Sequence, residues 1–352
     1  MKVTTSAKST ELIKPKRLQS GQTLGVFTPS SPSYKDGEEL FVNGVKNLEK
    51  CGFKVKLGTL TERRASEGYR SASPQARAQE FMELVLDPAV HGLISTIGGN
   101  NSSSMIPWLD FAAIRQSRKP ICGYSDVTSL HAAILKFSGL RTFYGPAVMC
   151  WFGDWPDGIQ ESTQWFLEAV SGHQTGPRSV HAPAQWSNHM RNWQNGDWQT
   201  KTREWKKNEG WKILNAGEAK GEILAFNLNT ILCAAGTGYW PDFSGKILLL
   251  EDMDAPHSRT ERALQQLSLI GVFDEIKGLI FSKPEVYNPQ GAAFGYDELI
   301  REMVGKRPYP IVTNFDCGHT VPMITIPQLS PVALLAHPKK PVEFTFLDGA
   351  IS

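Results

Sequence analysis

The sequence predicts a two-domain α/β protein: a parallel sheet flanked by helices, then a mixed domain richer in strand. Three observations predict it. The chain has 352 residues, too many for one ordinary core. Residues 1–155 alternate short apolar runs with amphipathic stretches, the spacing of a parallel sheet with helices on both faces. Residues 156–217 lose that pattern, and strand signals return in residues 218–352.

Taken in order, Thr23–Thr28 reads as a strand, Glu38–Cys51 as a helix and Phe53–Leu57 as a strand. Ser73 and Pro74 open a helix running to about Leu86, with proline at the first position, where its missing N–H costs nothing. His91–Ile97 reads as a buried strand that ends in the loop Gly98-Gly99-Asn100-Asn101. A short helix follows, then a strand over Pro120–Gly123 and a helix from Asp126 to Ser138, stopped by Gly139. Ligands in such sheets sit beyond the carboxyl ends of the strands, where Gly98-Gly99 and Ser125 both fall.

From Asp154 to Gly217 the chain is rich in Pro, Gly, Gln, Asn and Trp, with one helix expected near Glu161–Ser171. Beyond it, strands are expected over Gly221–Phe226, Lys246–Glu251, Gly278–Phe281, Val321–Ile326, Val332–Ala336 and Val342–Phe346. Helices are expected over Arg259–Ile270 and Tyr296–Val304. No internal repeat is visible.

Composition narrows the class. A hydrophobic content of 41% with 20% charged residues describes a soluble globular protein. A formal charge of +2 gives no reason to expect nucleic acid or an anionic membrane as partner. Met1–Ser20 has no continuous apolar core, so a secretory signal is not expected, and no run approaches the roughly 20 apolar residues of a membrane span. The five cysteines (51, 122, 150, 233 and 317) are widely spaced without a Cys-x-x-Cys pair. That reads as reduced thiols in a cytoplasmic protein and as no cysteine-based zinc site.

Three short polar islands each close an apolar run: Gly123-Tyr124-Ser125-Asp126, Leu250-Glu251-Asp252, and Asp316-Cys317-Gly318-His319-Thr320. In that order they offer a hydroxyl, a carboxylate and an imidazole. A serine is unreactive at neutral pH without a base, and the base needs a group to hold its tautomer. One of each, on the lips of expected strands, is the pattern of a serine hydrolase.

Ser125 lies between an apolar strand and a helix with Val127, Leu130 and Ile134 on one face. A tight turn there lifts the hydroxyl out of the sheet, and the helix N-terminus favours a developing negative charge. The Asp126 N–H is a natural oxyanion donor, and the Gly98-Gly99 loop can supply the second. The context is not the Gly-x-Ser-x-Gly elbow, since Val127 and Thr128 follow Asp126. The competing reading makes Ser125 or Asp126 a helix cap. Glu251 ends a run that looks fully buried, which calls for a hydrogen-bonded partner or a function. Asp252 and Asp254 rival it, and a salt-bridged strand end is the plainer reading. His319 sits in a polar turn where Gly318 permits close backbone approach. His131 falls six residues past Ser125, nearly two helical turns away and out of reach. Spacing does not exclude His257.

Trp186, Trp193, Trp198, Trp205 and Trp211 crowd one polar stretch together with Lys201, Arg203, Lys206 and Lys207. Their spacing suits no single helix face or strand. So much aromatic surface in an irregular segment must pack over something. Either the loop is stitched to its own domain, or it is a lid that stacks a flat aromatic ligand with cations nearby for a phosphate.

Together these residues resemble the LD-carboxypeptidase family of serine peptidases. The resemblance rests on Gly-Tyr-Ser-Asp-x-Thr, Leu-Glu-Asp and Gly-His-Thr in this order, and runs from Leu18-x-x-Gly21-x-Thr23 and Pro29-Ser30-Ser31-Pro32 to Pro327. The microcin C immunity branch is the closer likeness, through Asp316–Thr325, Gly271-Val272-Phe273-Asp274, Asn227-Leu228-Asn229-Thr230 and the segment from Trp186-Ser187 to Asn192-Trp193. The resemblance implies a Ser-Glu-His triad at Ser125, Glu251 and His319, with an oxyanion hole from the backbone amides of Gly99 and Asp126. It implies a Rossmann-like N-terminal domain, a swivelling-type C-terminal domain, a homodimer, and no metal or cofactor. It also implies that a loop tryptophan, Trp193 with Trp186 beside it, stacks the adenine of a substrate, and that Asn227 contacts the aminoacyl part.

The expected activity is therefore hydrolysis of an aminoacyl-adenylate or peptidyl nucleotide through an acyl-enzyme. The alternatives are a murein tetrapeptide LD-carboxypeptidase and a non-catalytic nucleotide- or peptide-binding relative. A nicotinamide-dependent oxidoreductase fits poorly, because Thr28-Pro29-Ser30-Ser31 follows the first strand instead of Gly-x-Gly-x-x-Gly. Two positions depart from the family pattern. Ala225-Phe226 stand where relatives commonly show paired glycines, and Gln328-Leu329-Ser330 where they commonly carry a glycine after the proline.

Overall fold

Five parallel strands build the first domain: β1 (Thr23–Phe27), β2 (Lys54–Leu57), β3 (Gly92–Ser95), β4 (Ile121–Gly123) and β5 (Phe143–Tyr144). Their spatial order is β5-β4-β3-β1-β2, so the winding reverses between β1 and β3. In an open α/β sheet that reversal opens a crevice at the strands' carboxyl ends. The loop after β3 is Gly98-Gly99, which falls there. The computed structural model describes residues 11–32, 37–172, 176–189, 192, 193 and 195–352. Met190 and Arg191, within the Trp186–Trp193 segment, lie outside the described residues, as do residues 1–10.

Six helices accompany this sheet: α1 (Glu38–Lys50), α2 (Thr59–Glu62), α3 (Pro74–Leu86), α4 (Phe111–Ser117), α5 (Thr128–Ser138) and α6 (Gln160–Ser171). The start of α3 follows from the sequence: the Ser73 side chain accepts the Ala76 N–H at 3.3 Å, and Pro74 occupies the first helical position. Gly139 ends α5 in the left-handed region at φ 66°, where a side chain would be strained. Phe27, Phe81, Leu84, Leu93, Ile121, Leu130 and Ile134 fill one side of the sheet, and Leu24, Val26, Phe41, Ile94, Val148 and Phe166 the other.

The connecting stretch supplies β6 (Arg178–Val180), a two-residue ribbon of β7 (Gln185–Trp186) with β8 (Lys206–Lys207), the turn of helix α7 (Asp197–Thr200), and β9 (Lys212–Asn215). The second domain carries β10 (Gly217–Asn227), α8 (Leu228–Leu232), β11 (Ile247–Glu251), β12 (Asp254–Pro256), α9 (His257–Ile270), α10 (Val272–Glu275), β13 (Gly278–Ser282), β14 (Val286–Asn288), α11 (Tyr296–Val304), β15 (Ile311–Phe315), β16 (Ile326–Pro327), β17 (Pro331–Ala336) and β18 (Glu343–Phe346). Its main sheet runs β6-β18-β17-β10-β11-β13-β15-β9. The central four, β10, β11, β13 and β15, are parallel, and antiparallel strands close both edges.

Strand periodicity sorts this second core. Leu224, Phe226, Leu248, Leu250, Leu279 and Phe281 point to the helix-covered face beside α9 and α11. Their neighbours Ile223, Ala225, Ile247, Leu249 and Ile280 point the other way, into a cluster that also holds Tyr124, Tyr144, Trp151 and Ile324. One face of the second sheet is thus the interface with the first domain. No helix among the described residues is long and apolar enough to cross a membrane.

Three features depart from the sequence reading. Val321–Ile326 is not a strand: Pro322 has no N–H to give, and the segment is pinned bond by bond. Ser187 and Val321 exchange backbone bonds of 2.8 and 3.0 Å, Met323 N–H donates to Ser162 Oγ at 2.8 Å, and Ile324 N–H to the Asp316 carbonyl at 2.8 Å. The segment's last residue, Ile326, joins Pro327 in β16, which pairs antiparallel to β5 in the sheet of the first domain. The buried strand β15 was missed, because Pro310 and the polar Thr313-Asn314 break its apolar run.

Candidate functional site

The strand β4 ends at Gly123, and the chain turns sharply through Ser125, whose φ is +55°. A serine in the left-handed region is strained, and such strain marks functional turns. The turn enters a 3-10 segment, Ser125–Val127, that runs into α5. Ser125 caps neither helix; its hydroxyl faces His319 Nε2 at 3.2 Å. The other ring nitrogen, Nδ1, lies 2.6 Å from Glu251 Oε2. A carboxylate only accepts, so Nδ1 carries the proton and Nε2 is left free to accept one from Ser125. The three residues named from the sequence form one continuous hydrogen-bonded chain.

Glu251 closes β11 and is buried, with every oxygen occupied. Its Oε1 accepts the Tyr144 hydroxyl at 2.5 Å and the Asn227 side-chain amide at 2.9 Å. Tyr144 in turn accepts the Ser125 N–H at 2.9 Å. Gly318 lets Glu251 approach the histidine loop: at φ +152°, a Cβ there would stand 2.9 Å from Glu251 Cβ. The loop is anchored one turn earlier by the fully buried Asp316, which pairs with Lys283 and accepts Trp211 Nε1–H at 2.8 Å. Ser282 Oγ–H donates to the Cys317 carbonyl. The Tyr124 ring packs against the His319 ring, centroids 4.9 Å apart.

The electrostatics suit a histidine base. Burial alone would lower the His319 pKa, but the Glu251 charge and hydrogen bond outweigh it, and the net shift is upward. Burial alone would raise Glu251; His319, Tyr144 and Asn227 outweigh it, and the net shift is downward. Both shifts favour a charged pair. Burial pushes Glu285, which feels the His319 charge, up to about 7.

The rivals are placed elsewhere. Asp252 turns away to Asn229 at 3.0 Å and Arg259 at 3.1 Å, and burial lifts it to about 6. Asp254 pairs within the β12–β14 ribbon. His131 bonds the Gly123 carbonyl at 2.9 Å and Thr142 Oγ1 at 2.8 Å, with its pKa driven down by burial to about 4. It braces the nucleophile strand from below. His257 packs between Tyr287 and Phe294, its ring nitrogens without a partner among the described residues.

The Gly98-Gly99 loop passes directly over Ser125. A Cβ on Gly98 would lie 3.0 Å from Ser125 Oγ and 3.4 Å from the Asp126 nitrogen. Asn227 is found on Glu251, and its Oδ1 accepts Thr230 N–H at 3.0 Å to cap α8. The tryptophans scatter: Trp198 is buried in the first domain's core, Trp211 in the second's, and Trp193 rests half-buried on the first. Trp186 carries the ammonium groups of Lys206 and Lys283 at 5.2 and 5.6 Å from its ring centre. The half-exposed Trp155 and Trp205 line a groove of about 740 Å³ with Glu161 and Arg203.

The two departures from the family pattern meet. The Gln328 side chain donates to the Ala225 carbonyl at 2.6 Å and accepts the Ala225 N–H at 2.9 Å. No group of three or more His, Cys, Asp or Glu side chains suited to a metal occurs among the described residues. Tyr144 was not singled out from the sequence, since Phe143-Tyr144 reads only as apolar chain.

The chain is similar to known proteins over most of its length. Residues 24–145 match the LD-carboxypeptidase N-terminal domain and residues 220–334 the LD-carboxypeptidase C-terminal domain. The microcin C7 self-immunity protein MccF of Escherichia coli is 35% identical over 308 residues, covering 87% of this chain and 88% of that protein. A Bacillus subtilis protein named "Probable murein peptide carboxypeptidase" is 28% identical, covering 89% of each. A structure of MccF in complex with glutamyl sulfamoyl guanosine superposes with a TM-score of 0.90 at 32% identity, over 96% of this chain and 99% of that one. An MccF-like protein from Bacillus anthracis gives 0.84 at 30% identity, over 96% and 99%.

Proposed function

This chain belongs to the LD-carboxypeptidase family, and on that premise we propose that it is a serine hydrolase acting on an aminoacyl or peptidyl nucleotide. The observation that carries the reading is the chain Ser125 Oγ, His319 Nε2, His319 Nδ1, Glu251 Oε2, with separations of 3.2 and 2.6 Å. His319 takes the Ser125 proton as Oγ attacks the substrate carbonyl. The oxyanion rests on the Gly99 and Asp126 N–H groups, and His319 then protonates the leaving nitrogen. An acyl-enzyme remains. Water, deprotonated by His319, releases the acid and restores the serine. Glu251 holds the imidazole in the required tautomer and offsets its charge when protonated. No step calls for a metal or cofactor.

Substrate class follows from the relatives. MccF structures hold glutamyl sulfamoyl guanosine and aspartyl sulfamoyl adenosine. On the family likeness, Trp193 and Trp186 would stack the base and Asn227 would meet the acyl part. The family likeness further supports a homodimer at work in the cytoplasm, and sedimentation of the purified protein checks its assembly state.

The test is mass-spectrometric. Purified protein is incubated separately with aspartyl sulfamoyl adenosine and with murein tetrapeptide, beside Ser125→Ala. Release of aspartate by the wild type alone supports the reading. Release of D-alanine from the tetrapeptide instead moves the assignment to murein recycling. Turnover by Ser125→Ala near the wild-type rate rejects the nucleophile.

A further inference from the structure

The oxyanion donors assigned above lie on two separate segments, the loop after β3 and the turn after β4. Their usefulness depends on aiming at one oxygen to within a few tenths of an ångström. The bonds that join those segments are therefore of interest. Asp126 is buried, and its Oδ2 accepts the Asn101 N–H at 2.9 Å and the Ser102 N–H at 2.7 Å. In return Ser102 Oγ–H donates to the Asp126 carbonyl at 2.6 Å. One residue thus presents its own N–H beside Ser125 and grips the far end of the loop with its carboxylate.

The loop is held from its other side as well. Ser30 Oγ accepts the Asn100 and Asn101 N–H groups at 2.9 and 3.1 Å, and Ser31 N–H donates to the Gly98 carbonyl at 3.2 Å. Beneath, the buried Arg77 donates to the Pro29 carbonyl at 2.6 Å and the Asn101 carbonyl at 3.1 Å. The Asp126 carboxylate lies close enough to act on the Arg77 charge. Gly99 packs so tightly on Ser30 that a Cβ would fall 2.2 Å from Ser30 Oγ.

We propose that the Asp126 side chain is a positioning residue: by gripping the Asn101 and Ser102 amides it sets the height of the Gly98-Gly99 loop over Ser125, so that the Gly99 and Asp126 N–H groups converge. The inference rests on the reading of Ser125 as nucleophile. Both gripped amides use a single oxygen, so asparagine, with its one carbonyl oxygen, can keep both bonds, and alanine keeps neither.

The experiment compares Asp126→Ala and Asp126→Asn with the wild type on aspartyl sulfamoyl adenosine, with rates expressed per site titrated by a fluorophosphonate. Dissociation constants for a peptidyl boronate, whose Ser125 adduct places an oxygen in the hole, are measured alongside. Asp126→Ala is expected to lower per-site kcat about 10- to 100-fold with KM within about threefold, and to weaken the boronate by a similar factor. Asp126→Asn is expected to recover most of that loss. A cap that served stability alone would lower the titratable fraction and leave per-site kcat in place. Per-site kcat of Asp126→Ala within twofold of wild type overturns the proposal, as does an asparagine variant no better than alanine. If the alanine variant does not fold, Asp126→Ser, whose shorter side chain stops short of the Asn101 and Ser102 amides, replaces it; a wild-type per-site kcat there has the same force. Turnover by Ser125→Ala would instead remove the nucleophile itself, a separate outcome.

Discussion

The Tyr144 hydroxyl donates to Glu251 Oε1 across 2.5 Å, joining the last parallel strand of one domain to the carboxylate that ends a strand of the other. The Tyr144 hydroxyl oxygen itself accepts the Ser125 N–H. Tyrosine therefore links nucleophile and carboxylate on the side opposite His319, and the two-domain site is held by a closed ring of bonds.

Removing that hydroxyl should be costly in rate while sparing the fold. Tyr144→Phe leaves the Ser125 N–H without its acceptor and Glu251 Oε1 with Asn227 alone. We expect kcat to fall about 10-fold or more, with stability reduced by about 1–2 kcal/mol for the unpaired buried group. Steady-state kinetics beside urea unfolding separate the two effects.

The base sets the acid limb of the pH profile. His319 must be neutral to accept a proton, and its pKa is raised, so kcat/KM should climb with pH through an apparent value above 6.5. Glu251, Glu285 and Asp252 all face it and raise it. Glu251→Gln removes the largest of these and leaves burial, so the limb should move to lower pH as kcat falls. A limb that stays in place would show that another group is being titrated.

Gly318→Ala tests the backbone approach. At φ +152° and 2.9 Å from Glu251 Cβ, a methyl group must displace either the carboxylate or the histidine loop. We expect a loss in kcat of about 10² with KM little changed, from misplacement by a fraction of an ångström. A crystal structure of the variant should show a longer His319–Glu251 separation.

His131 predicts a stability effect away from the chemistry. Buried and neutral, it has a folded pKa near 4 against an unfolded value of 6.5. The unfolded chain binds the extra proton between those values, so this contribution is complete above pH 6.5 and fades as pH falls toward 4. Wild type should lose about 2 kcal/mol from this group between pH 7 and pH 5. Urea unfolding of His131→Gln at both pH values should show the smaller loss.

Ser125 and Glu251 stand out in the sequence because each ends an apolar run. His319 follows a run that Thr313-Asn314 interrupts and is marked only by its polar, glycine-bearing turn. Tyr144 does not stand out, since its hydroxyl becomes informative only once β5 is set beside Glu251. Asn227, expected from the family likeness to contact the aminoacyl part, also bonds Glu251, a partner visible only through the register Asn227↔Glu251 between β10 and β11. The tryptophans could not be sorted by closeness in sequence: Trp198 and Trp211 are stitched into two different cores, and Trp211 anchors Asp316. Val321–Ile326 had the composition of a strand, but its bonds go to Ser162, Ser187 and Asp316 rather than to a ladder.

The short strand β16 is made late, from Ile326–Pro327, yet it docks on β5 in the first sheet. During synthesis the Ser125 turn therefore emerges 194 residues before His319, and the edge of its sheet stays open until Ile326–Pro327 follow. A ribosome-bound fragment ending before His319 carries a serine with nothing to activate it. On the proposed mechanism, hydrolytic competence is thus withheld from every nascent chain that stops short of His319.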